Sequence, residues 1–213
     1  MKKFLVLLVV SVSSTLLFAQ SEKYAGAMKQ NLSMMDSAFM KNNFAELANN
    51  FERIGDAEKS QWLPYYYAAY CTAMSALTEK DKSKVDGIAD KADQQIKKAE
   101  AIAGKENSET CVIKSMIASS HMMVDPQNRW QQYGADASTN IEKAKKLDPS
   151  NPRPVYLEGQ GKFYTPESFG GGKAAAKEYF LTAIKMFDTF KAESELHPTW
   201  GKQATAYFLE QVK

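Results

Sequence analysis

Three segments of the chain repeat one arrangement of apolar positions: Ala92/Ile96/Ala99/Ile102, Ala137/Ile141/Ala144/Leu147 and Ala176/Phe180/Ala183/Met186. Steps of four, three and three residues place each set on a single helix face. The small residues at the first and third places admit a neighbouring helix at close range, and the larger ones fill the space between. Such a face is buried. The remaining segments show no period-two alternation of the kind a half-buried strand needs. The pattern predicts an all-α fold of nine helices: about Ser21 to Met40, Phe44 to Ile54, Gln61 to Leu77, Lys82 to Ala103, Ser108 to Val124, Trp130 to Leu147, Arg153 to Tyr164, Lys173 to Lys191 and Pro198 to Val212.

Proline announces three of the helix starts, at Pro64, Pro154 and Pro198. It fits there because the first turn leaves its N–H without a partner in any case. Asn107 before Ser108 and Glu109 supplies an N-cap for a fourth. An aromatic stands two residues after each proline: Tyr66, Tyr156 and Trp200. The step between equivalent starts is about 45 residues, which is the scale of a stacked helical hairpin.

The stretch from Ala137 to Gly159 resembles the junction between two tetratricopeptide repeats. Ala137, Ile141 and Ala144 stand where that family's second helix carries its small and large residues, Leu147-Asp148-Pro149 follows, and Tyr156 and Gly159 come in the next helix. Ala176, Phe180 and Ala183, and Ala92, Ile96 and Ala99, look like further copies, whereas the first hairpin matches poorly. The repeat is longer than the family's usual 34 residues, and the link Pro166 to Gly172 is an expansion similar to one in some extracytoplasmic solute-uptake subunits. The resemblance implies a right-handed α-solenoid of about four elongated hairpins plus a C-terminal capping helix. It also implies a concave groove lined by first-helix residues, here Tyr66, Tyr70, Tyr156, Gln160 and Phe163, whose aromatic rings would anchor a protein or peptide partner.

Lys2-Lys3 followed by an apolar run to Phe18-Ala19 reads as a secretory leader, residues 1–19, with one domain over 20–213. The expectation is an exported protein, periplasmic or extracellular, with no integral membrane span once the leader is cleaved. Cleavage would remove two lysines and leave 25 basic against 25 acidic residues. A neutral chain argues against nucleic acid, since phosphate-backbone binding relies on an excess of Lys and Arg. Cys71 and Cys111 fall out of register between their helices and are read as buried thiols rather than a disulfide.

Chemistry is sparse. Gly172-Lys173 lacks the earlier glycine and following Ser/Thr of a phosphate loop. His121 and Asp125 have one-turn spacing but no third metal ligand nearby in sequence, and Ser119-Ser120-His121 has no nucleophile elbow. The methionines, Met34 among them, read as core. No catalytic, metal or cofactor residues are expected. The functional expectation is a non-enzymatic scaffold holding a protein or peptide in its groove; the alternative is a solute-binding or transport accessory subunit, which requires an enclosed apolar pocket.

Overall fold

The computed structural model describes residues 22–38 and 40–213; the leader expected over 1–19 lies outside the described residues. Among the described residues the fold is all-α, without strands. α1 is helical over residues 22–38. It is followed by α2 (Phe44–Glu58), α3 (Leu63–Thr78), α4 (Lys82–Ala103), α5 (Ser108–Val124), α6 (Pro126–Arg129), α7 (Ala135–Leu147), α8 (Pro152–Tyr164), α9 (Lys173–Thr189) and α10 (Lys202–Gln211). A π-helical turn, Trp130–Gly134, joins α6 to α7.

Local side chains fix several starts. The Asp81 carboxylate accepts from the Ser83 N–H at 3.1 Å to open α4. Asn107 and Thr110 exchange hydrogen bonds of 3.0 and 3.1 Å as a capping box for α5. At α8 the Asn151 side chain accepts from the Arg153 N–H at 3.0 Å, with Pro152 and Pro154 in the first turn.

From α2 to α5 and from α7 to α10 consecutive helices pack against one another; α5 packs on α7, and α3 also touches α5. α3 is buried on nearly every side, from Leu63 through Ala73. α4, α7 and α9 each bury one stripe, and the first three places of each repeated pattern lie in it: Ala92/Ile96/Ala99, Ala137/Ile141/Ala144 and Ala176/Phe180/Ala183. The fourth places do not. Leu147 is 52% exposed and Ile102 half-buried, because both stand in the last turn of their helices. In α9 the buried place passes from Met186 to Phe187.

The last helix begins later than Pro198. Residues 190–201 are irregular, and α10 starts only at Lys202 after Gly201 turns the chain with φ 111°. This segment, the strap, returns across α3 and α8. Cys71 and Cys111 are both free and buried, and burial pushes the Cys111 thiol up to about 12.

Candidate functional site

The strap occupies the face that the sequence reading reserved for a partner. Tyr66 is fully buried; its hydroxyl donates to Glu109 Oε2 at 2.8 Å and accepts from Trp200 Nε1 at 2.8 Å. Tyr70 lies against the Trp200 ring, centroids 4.6 Å apart. The Tyr67 hydroxyl donates to the Leu196 carbonyl at 2.9 Å. Arg153, with no exposed surface, donates to the Pro198 carbonyl and to Glu109 Oε1, and its guanidinium sits 4.9 Å from the Phe190 ring centroid. Burial pushes the Glu109 carboxyl up, while the Arg153 charge and donors from Tyr66 and Asn151 pull it back.

The five expected groove residues are therefore not one surface. Tyr66 and Tyr70 lie beneath the strap. Tyr156 is buried with Phe180 and Phe208, and half-buried Phe163 packs on Phe208 with centroids 5.2 Å apart. Gln160 is half-buried beside Tyr156. An aromatic at a first-helix position looks the same in sequence whether a partner or the chain itself covers it.

A second grouping surrounds His121, which pairs with Asp86 and Asp90 rather than with Asp125. Its Nδ1 lies 2.8 Å from Asp86 Oδ1, its Nε2 3.6 Å from Asp90, and its ring stacks on Tyr133 at 4.9 Å. Arg129 makes a bidentate contact to Asp86 at 2.7 and 3.0 Å. The adjoining recess, about 270 Å³, is lined by Asp90, Asp93, Asp136 and Lys114 beside His121 and Tyr133. Among the described residues no three or more His, Cys, Asp or Glu side chains are placed to hold a metal ion.

Arg129 first, then His121, holds Asp86 at about 2, below the ordinary 3.8. A depressed carboxylate stabilises the fold above its unfolded pKa and loses that contribution as pH falls through the folded value. Asp86 is 41% exposed, so solvent screening keeps the effect small. Asp86→Asn is expected to cost under about 1 kcal/mol at neutral pH. The gap from the parent protein should close between about pH 4 and pH 2 in urea titrations, and a gap that persists at pH 2 would refute the assignment.

The third grouping is a cleft of about 560 Å³ between α1 and α2. Lys23, Ala27, Asn31 and Met34 line it from one stripe of α1, with Tyr24 beside them, and Asn50, Arg53, Ile54, Ala57 and Glu58 face them from α2. Its volume falls within the roughly 300–1,000 Å³ of small-molecule sites, whereas the His121 recess is smaller. Two polar atoms of its lining residues, Tyr24 Oη and Asn31 Oδ1, are buried without a partner among the described residues. The Asn31 amide nitrogen already donates to the Ala27 carbonyl at 2.9 Å, so its oxygen is the free atom. Burial, with a smaller push from Glu58, lifts Tyr24 to about 12. Arg53 donates to Asn50 Oδ1, and among the described residues neither Arg53 nor Lys23 is in an ion pair. Sequence reasoning missed this cleft. Met34 reads as core filler, and an unpartnered hydroxyl leaves no mark in a residue pattern.

No family model and no curated protein matches the chain. Among solved structures it is similar to the HusA haemophore from Porphyromonas gingivalis, with 34% identity, a TM-score of 0.78, and coverage of 89% of this chain and 92% of that one. That protein is named for haem, not for capture of a protein segment. The expectation of a scaffold with an open groove is thereby corrected, and the strap lying across Tyr66 and Tyr70 supplies the physical reason. A likeness of this extent and identity settles kinship: the chain belongs to the family of the HusA haemophore.

Proposed function

We propose that this protein is an exported, non-enzymatic haem carrier that holds its cargo in the cleft between α1 and α2. The observation that carries the reading is the 34% identity to a haemophore over 92% of that protein's length. The shape of the cargo favours the same cleft. Haem is a flat apolar disc with a pair of carboxylates on one edge, and it needs an apolar slot with cations at the rim. Ala27, Met34, Ile54 and Ala57 offer apolar walls, and Lys23 and Arg53 offer two positive charges against the one negative charge of Glu58. In the His121 recess three aspartates outnumber Lys114, whose charge is already taken by Glu100 and Glu106, so it suits the carboxylates less. The helical hairpins behind the cleft are read as a diverged tetratricopeptide-type stack, a reading supported by the buried Ala137, Ile141, Ala144, Tyr156 and Gly159. The basic leader supports export.

The test is an absorbance titration of the purified protein with haem. Saturable binding with a shifted Soret band is expected, weakened at least about tenfold by Ala27→Trp, which fills the slot. Unchanged melting temperature and helical circular dichroism would show that the variant remains folded. Absence of saturable binding in the parent protein would refute haem carriage. Full binding by Ala27→Trp would move the cargo to another surface.

A further inference from the structure

We infer that the cleft between α1 and α2 reads the carboxylate edge of its ligand: Lys23 and Arg53 pair with the carboxylates and the Tyr24 hydroxyl donates to one of them. A free-acid tetrapyrrole is therefore preferred over its neutral ester. The inference rests on the haem reading above and adds which chemical form is selected.

Three observations carry it. First, Tyr24 is 9% exposed, yet its hydroxyl has no partner among the described residues. A buried donor left unpaired costs free energy that a ligand acceptor would recover. Second, Glu58 lines the same cleft but receives no hydrogen bond from Tyr24, and its charge opposes loss of the phenol proton. Tyr24 thus remains a neutral donor, suited to a carboxylate oxygen rather than to service as a phenolate. Third, among the described residues Lys23 and Arg53 have no carboxylate partner, while Lys29 pairs with Glu195 and both Lys91 and Lys98 reach Glu52. A neutral ligand would leave both cations and the Tyr24 hydroxyl unmatched; a cationic ligand would be repelled by Lys23 and Arg53. Asn31 Oδ1 is a buried acceptor, so it takes no part in the carboxylate contact.

The experiment compares haem with haem dimethyl ester, each titrated from the same detergent stock into the parent protein, Lys23→Ala/Arg53→Ala and Tyr24→Phe. The readout is the ratio of the two affinities within each protein, so any loss of folded fraction cancels. The parent should favour haem by at least about tenfold, since charge-assisted hydrogen bonds are the strong ones. The ratio should fall close to one in the double variant and by about threefold in Tyr24→Phe. Equal affinities in the parent, or a preference that survives the double variant, would overturn the inference while leaving haem carriage intact. Failure of the parent to bind haem at all would remove both.

Discussion

Arg153→Ala is expected to destabilise the protein by about 3–5 kcal/mol, because it leaves a buried carboxylate without its counter-charge. Arg153 shows no exposed surface and Glu109 only 13% of its side chain, with 2.8 Å between them. The same guanidinium closes the strap onto α8 through the Pro198 carbonyl and lies 5.3 Å from the Trp200 ring centroid. Removing it therefore unmakes an ion pair, a strap contact and a cation–π stack together. Arg153→Lys should recover little, since an ammonium cannot reproduce the fork that reaches Glu109, Asn151 and Pro198 at once. Urea denaturation followed by circular dichroism measures the loss. A companion variant separates the ion pair from the packing: Arg153→Met with Glu109→Leu should lose less than Arg153→Ala alone, because no orphaned charge remains. A single-variant loss below about 1 kcal/mol would mean that water or local rearrangement satisfies Glu109 and that the network is dispensable.

The second large effect is expected at Gly201, where alanine should cost about 3 kcal/mol or more. Its backbone holds φ 111° at the end of the strap, a conformation that side-chain-bearing residues rarely adopt. A Cβ placed there would also stand 2.6 Å from the Phe187 ring, whose side chain is 7% exposed and packed in the C-terminal core. Strain and overpacking act at the same atom, so neither relieves the other. Thermal melts should show a clearly lowered transition. Limited proteolysis should cut first within residues 190–201, as the strap loosens from α3. A variant that melts with the parent and resists cleavage would show that Phe187 yields freely. Gly159 offers a milder comparison: a Cβ there meets Phe180 at 2.6 Å, but within ordinary helical backbone, so the cost should be the roughly 1–3 kcal/mol of overpacking alone.

The helices were legible because their signals are local. Asn107 caps α5 through its own neighbour Thr110, and proline stands in the first turn of α3 and α8. The repeated Ala–large–Ala stripe is buried in α4, α7 and α9, as a helical period requires. Pro198 misled for an instructive reason. A proline permits a helix start without compelling one, and here Arg153 takes its carbonyl from across the fold. Trp130 likewise reads as a helix start, yet the chain arrives already helical through α6 and passes a π-turn before α7.

The functional residues divide along the same line. Tyr66 and Tyr70 read from sequence as groove residues, but the choice between groove and core depends on residues 190–201, more than a hundred positions away. Tyr24 and Arg53 carried no signal at all, since a tyrosine in an amphipathic helix and an arginine on a polar face are ordinary until a hydroxyl is found buried without a partner. Sequence alone determined the helical class, the helix boundaries set by caps and the stripes that pack, because those follow from short-range hydrogen bonding and the 3.6-residue period. Tertiary structure decided which aromatic face the chain covers for itself and which cleft stays open, because burial and hydrogen-bond satisfaction are properties of segments brought together from distant positions, and no local pattern records them.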